Sequence, residues 1–133
     1  MAKLINGEQF KSESGIATNS LVSTSGDFVA KSAAGFVTLN TVGVPLLGLA
    51  HTVKTFAADN QTVTADRVIY ASKDTGDIMR VEIAADAAIT QANEGDLFDI
   101  NADGTVDVAT SGTGDQVQMT EFVSQTSSVY KIV

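Results

Sequence analysis

Cysteine is absent from the 133 residues, which excludes disulfides, Cys-based metal sites and thiol nucleophiles. Tryptophan is absent too, and aromatic residues make up only 6% of the chain. A core must then be filled mainly by Val, Ile, Leu and Ala, and a modest core of that kind is often supplemented by oligomerisation. His51 is the single histidine. A lone histidine acts as a base only with an orienting partner and an activated nucleophile, and no Gly-x-Ser-x-Gly elbow is present to supply one. It sits in Leu49-Ala-His-Thr-Val-Lys and reads as an ordinary strand residue. No Gly-Lys-Ser/Thr phosphate loop occurs, and Gly35 and Gly43 stand alone. Nothing in the sequence points to an enzyme, and no catalytic, cofactor-binding or metal residues are assigned.

Long hydrophobic runs are missing as well. The most apolar stretch, Val42 to Ala50, holds Pro45 and two glycines and is too short to span a bilayer. The start, MAKLINGEQFKSESG, lacks the basic-then-apolar pattern of a signal peptide. The expectation is a soluble product made in the cytoplasm, with no membrane partner. Basic charge is scarce and unevenly placed. Residues 1–58 carry four Lys and three acids, a net of +1, and residues 59–133 carry four basic residues and thirteen acids, a net of −9; together these give the total of −8. Such a surface repels phosphate backbones, so no nucleic-acid partner is expected. The acidity serves solubility.

What is present is a β pattern. Residues 1–25 have few large apolar groups (Leu4, Ile5, Phe10, Ile16, Leu21 and Val22) and read as an extended N-terminal arm or a frayed terminus. From Gly26, short apolar runs alternate with turn signals, as in a sandwich or small barrel. Strands are predicted at 28–32, 36–40, 46–56, 62–72, 78–84, 97–101, 105–109, 117–124 and 128–133. The breakers are Ala34-Gly35, Val42-Gly43, Asp59-Asn60, Asp74-Thr75-Gly76, Glu94-Gly95 and Gly112-Thr113-Gly114. Residues 84–92 are Ala-rich, but Gly95 and the β-branched Ile89 and Thr90 limit them to a single helical turn. The expected fold is all-β: a small barrel or sandwich of short antiparallel strands, one domain over 26–133 preceded by an arm over 1–25.

The most informative pattern is an internal repeat. Residues 26–43 align without gaps on residues 95–112, with seven of eighteen positions identical. Both bounding glycines, the central Gly35 or Gly104, and the Asp after the first glycine are shared. Each copy reads as turn, strand, tight turn, strand, turn, with the central Gly supplying the positive φ of the hairpin. The Gly-Asp pair opens the first strand, its carboxylate placed to accept backbone N–H groups.

The second copy contains Asp99-x-Asn101-x-Asp103-Gly104-x-Val106-Asp107, which matches much of a helix-flanked calcium loop. Position 12 of that loop should be a bidentate Glu and is Thr110, and the flanks are strand-like. The first copy makes the same hairpin with Ala30, Ser32, Ala34 and Gly35, which offer no ligand set. Asp103-Gly104 is then a favoured hairpin turn. Asp59, Asp74, Asp77, Asp86 and Asp96 likewise read as solvated turn acids.

The assembled pattern resembles the decoration (cement) proteins of tailed bacteriophages, which bind the outside of the capsid. The resemblance lies in Ser25-Gly26-Asp27-Phe28-Val29 with Ala34-Gly35-Phe36-Val37, in Val44-Pro45-Leu46-Leu47-Gly48-Leu49-Ala50, in Thr55 through Val63, and in Glu94-Gly95-Asp96-Leu97-Phe98-Asp99-Ile100. It implies a compact β-domain, often a trimer, seated between subunits of the major capsid protein on the outer surface of the virion. It also implies an N-terminal arm lying on the capsid or a neighbour, a role that residues 2–22 match in position. Two other functions share parts of the pattern. One is a calcium-dependent surface- or carbohydrate-binding module using Asp99, Asn101, Asp103 and Asp107; the other is a phage tail-tube or head–tail connector component.

Overall fold

Turn signals spaced roughly every 8–12 residues leave room only for short strands, and the computed structural model, which describes residues 2–5, 11–74 and 79–133, has strands of two to six residues. They are β1 Lys3–Leu4, β2 Ser12–Ile16, β3 Val22–Ser23, β4 Phe28–Lys31, β5 Val37–Leu39, β6 Leu46–Ala50, β7 Lys54–Thr55, β8 Arg67–Ser72, β9 Arg80–Ala84, β10 Leu97–Ile100, β11 Val106–Asp107, β12 Val117–Glu121 and β13 Ser127–Ile132. One sheet runs β1-β9-β13-β12-β10-β11 and a second runs β2-β8-β6-β4-β5, with a separate ribbon of β3 and β7. All ladders are antiparallel. The fold is all-β and sandwich-like, and neither sheet closes into a barrel.

Several strands are shorter than the alternation suggests, each for a local reason. The run 46–56 breaks after Ala50, where the His51 and Thr52 N–H groups both turn to the Ile69 carbonyl. The run 62–72 loses its first part to a π-helical turn over Asn60–Thr64. The run 105–109 stops at Asp107, whose carboxylate caps a 3-10 turn over Val108–Thr110 by accepting from the Ala109 N–H. The helical turn expected within 84–92 is displaced to Gln91–Asn93, because Ala84 ends β9 and Ala85 bridges to Val106. Phe10, Thr75, Gly76, Asp77 and Ile78 lie outside the described residues. So does part of the segment expected as an arm; the remainder is extended but stitched into the sheets. There β1 pairs with β9, β2 pairs with β8 along five positions, and Ala17 and Leu21 are buried. Few apolar residues suffice in this segment because those it buries, Ala2, Ala17 and Leu21, enter cores that other strands have half built.

The repeat seen over eighteen residues extends across nearly the whole described chain. The two five-strand orders β2-β8-β6-β4-β5 and β9-β13-β12-β10-β11 are the same order, register by register. Ala30 opposite Thr38 becomes Asp99 opposite Asp107; Phe28 opposite Leu49 becomes Leu97 opposite Gln118; Glu13 opposite Tyr70 becomes Val81 opposite Tyr130. The isolated parallel bridge Ala17–Val37 becomes Ala85–Val106. The matched glycines even share their φ angles: 88° and 88° at Gly26 and Gly95, 92° and 87° at Gly35 and Gly104, 79° and 78° at Gly43 and Gly112. The protein is two copies of one five-stranded unit.

The copies do not pack face to face. Call the inner face of each unit the one that holds Tyr70 or Tyr130. In the second unit Val81, Phe98, Val117, Met119 and Tyr130 line this face, with the Phe98 and Tyr130 rings edge to face at 5.8 Å. They share one core with Phe28, Leu46, Leu49 and Ala71, which lie on the outer face of the first unit. A bulge at Leu47–Gly48 lets both Leu46 and Leu49 reach that face. The counterparts of these four on the second unit are Leu97, Asp115, Gln118 and Lys131. Three of the four are polar, so the stack ends there. Gln116, fully buried, ties the units together. Its Oε1 accepts from the Ile100 N–H at 2.7 Å, and its Nε2 donates to Asn40 Oδ1 at 2.8 Å, to Val44 O at 2.6 Å and to Thr41 O at 3.2 Å.

Candidate docking surface

The acidic hairpin does not gather its oxygens around a point. Asp103 Oδ1 accepts from the Thr105 N–H and hydroxyl, at 2.9 and 2.6 Å, and these bonds hold its carboxyl below the usual range. Asp107 accepts from Ala109 N at 3.1 Å, and Asp99 from Asp115 N at 3.0 Å. Asn101 donates to Asp86 at 2.9 Å, and Thr110 Oγ1 accepts from the Asp99 N–H at 2.8 Å. Asp103 and Asp107 are used by their own turns, as expected for short polar side chains there, whereas Asp99, Asn101 and Thr110 tie the hairpin to neighbouring segments. Among the described residues no set of three His, Cys, Asp or Glu side chains is placed to hold a metal ion. Asp115 is raised above the usual carboxylate range by burial first and then by Asp99 beside it. The two Gly-Asp pairs serve as turn acceptors: Asp27 accepts from Thr24 N at 2.9 Å, and Asp96 from the Ser111 hydroxyl and the Asn93 amide. Those two bonds, Ser111 first, hold Asp96 low.

His51 is exposed at the rim of an open groove of about 460 Å³ that Ala2, Lys3, Leu4, Ser25, Gly26, Leu49 and Ala50 also line. Among the described residues it makes no side-chain hydrogen bond or ion pair. Asp59 and Asp74 are exposed in their turns, and Asp86 accepts from Val108 N at 3.0 Å.

The feature that sequence reasoning missed is a difference between the two units. Ala50 and Arg67 are 17 positions apart, whereas their counterparts Met119 and Ser127 are 8 apart, so the first unit carries a nine-residue insertion. It forms β7, the Phe56 plug and the turn over Asn60–Thr64, and it pairs with β3. Phe56 enters a second core with Ala17, Leu21, Val29, Val37, Ala50, Val68 and Tyr70, covering the first unit's inner face. Asn60, fully buried, braces the loop. Its Nδ2 donates to Ala17 O at 2.8 Å and Asp66 O at 3.0 Å, while its Oδ1 accepts from Asp66 N at 3.0 Å and the Thr64 hydroxyl at 2.7 Å. Lys54 pairs with Asp66 and lies 5.3 Å from the centre of the Phe56 ring. On this braced layer Val22, Val53 and Val63 stand 55%, 72% and 71% exposed. The only signal in the sequence was the Asp59-Asn60 breaker, which does not reveal that Asn60 is buried.

No family model, curated protein or solved structure matches this chain.

Proposed function

We propose that this protein is a structural component of a tailed-phage virion, a decoration protein that binds the outer surface of the major capsid protein's shell and stabilises it. The observation that carries this function is the braced insertion. An insertion braced by the buried Asn60 amide, with Val53 and Val63 exposed on it and Val22 exposed on the adjoining β3, loses little entropy on docking and gains by burying these valines. The first unit, with five basic and five acidic residues over 11–74, faces the shell, and the acidic second unit faces solvent. Homo-oligomerisation, as a trimer in the proteins it resembles, multiplies weak contacts across many copies.

Two measurements test it. Mass spectrometry of purified particles of the encoding phage is expected to find the chain at a copy number comparable to that of the capsid subunit; its absence would refute the function. The paired change Val53→Asp and Val63→Asp is expected to shift folding stability by no more than about 0.5 kcal/mol, as for exposed positions generally. The same protein should fail to bind particles, and full binding would remove the insertion from the contact.

A further inference from the structure

The duplicated fold contains its own comparison. In the second unit the outer edge of β9 holds β1: the Ile5 N–H donates to the Arg80 carbonyl at 3.0 Å, Lys3 lies opposite Glu82, and Leu4 lies opposite Val81. The counterpart of β9 in the first unit is β2. Its ladder to β8 is hydrogen-bonded at Lys11 with Ser72 and at Ala17 with Asp66. By antiparallel alternation, Glu13 and Gly15 also turn to β8, and the backbone groups of Ser12 and Ser14 point away. No described strand pairs with them. The Arg67 guanidinium reaches the Ser14 carbonyl at 3.3 Å, and no other bond to these outward groups is present among the described residues. The free stretch is short, since past Gly15 the chain turns to β5 through the Ala17–Val37 bridge. On β9, too, the pairing with β1 stops well before Ala85, where the chain turns to Val106.

The β2 edge carries little of the protection that edge strands normally show. Ser12–Ile16 contains no Pro and no Lys, and it pairs with β8 without a bulge. The charged position is Glu13, half-buried on the inner face, where β9 has Val81. Glu13 and Asp74 both lie close enough to Tyr70 for their charges, after burial, to raise its hydroxyl's pKa. An apolar residue like Leu4 suits Val81; a cation suits this acidic edge.

We propose that the free edge of β2 receives an extended segment of the capsid protein, antiparallel to β2 in the place that β1 takes on β9, with a Lys or Arg opposite Glu13. Main-chain bonds to Ser12 and Ser14 give the affinity and Glu13 gives the selectivity, the usual division in strand addition. This site rests on the capsid-binding function proposed above.

The experiment is hydrogen exchange on the free chain and on the chain bound to purified particles. The Ser12 and Ser14 amides are expected to slow by about tenfold or more on binding. Ser14→Pro removes an outward N–H and no bond to β8, so it should leave the melting midpoint in place. It should also weaken particle binding by about tenfold, as Glu13→Lys should. If Ser14→Pro does not fold, the exchange measurement on the natural sequence decides alone. A particle-bound chain whose Ser12 and Ser14 amides exchange as in the free protein overturns the β2 site and leaves the capsid function standing. A chain absent from particles takes down both.

Discussion

Gln116 offers the sharpest test of the stacked-unit architecture. Replacing it with Ala leaves the Ile100 N–H without an acceptor inside the core, a loss of about 1–3 kcal/mol. Asn40 Oδ1, Thr41 O and Val44 O lose their donor at the same time. These three are partly solvated, and together they add about 1 kcal/mol. The void left by a fully buried side chain adds about 1 kcal/mol more. The expected total is about 3–5 kcal/mol, which for a chain of 133 residues lowers the melting midpoint by roughly 10–20 °C. Urea unfolding measures it directly, with a lower midpoint at an unchanged slope. Gln116→Leu is the informative companion, because Leu47 occupies the matching position of the first unit. It refills the void but restores none of the bonds, so about 2–4 kcal/mol should still be lost. A double-mutant cycle with Asn40→Ala should give a coupling of at least about 1 kcal/mol. Losses below about 1 kcal/mol in both single variants would mean that the amide does not join the units.

Two further predictions concern other parts of the same architecture. A Cβ on Gly48 would clash with the Ala71 carbonyl oxygen, whereas one on Gly104 meets nothing within 4 Å and contends only with φ +87°. Gly48→Ala should therefore cost more than about 3 kcal/mol and Gly104→Ala about 1 kcal/mol, both read by thermal melts; similar costs would refute the close β6–β8 approach. Tyr130 is fully buried, its hydroxyl finds no partner among the described residues, and burial pushes its pKa up to about 12 from 10.0. Because the folded state holds this proton more tightly, the stabilisation is present below pH 10 and is lost as pH rises towards 12. Tyr130→Phe should match or exceed the natural stability by up to about 1 kcal/mol at neutral pH. It should also lose less between pH 10 and 12, with Tyr70 supplying what remains of the loss; identical urea midpoints for both proteins across that window would contradict the burial argument.

The hairpins were legible because their chemistry is local. Gly26, Gly35 and Gly43, with Gly95, Gly104 and Gly112, announce positive φ wherever they stand, and all six adopt it. The reading of the Asp-x-Asn-x-Asp-Gly motif as a turn followed from comparing the two copies; in the structure Asp103 and Asp107 accept from their own turns, and Asp99 accepts from the Asp115 N–H. The repeat was underestimated, however. Outside residues 26–43 the two units share register but hardly any residue types: Glu13 stands for Val81, Leu49 for Gln118 and Ala71 for Lys131. The last two differences are the packing itself, since one outer face is buried and the other is not.

Sequence alone determined the all-β class, the spacing of the turns and the acidic second half, because each depends on residue type or on contacts between near neighbours. Tertiary structure decided that two units stack inner face on outer face, that the early residues belong to both sheets, and that Asn60 and Gln116 are buried polar braces. Those outcomes depend on which face of a strand meets a distant one, and alternation along a strand marks two faces without saying what will cover either.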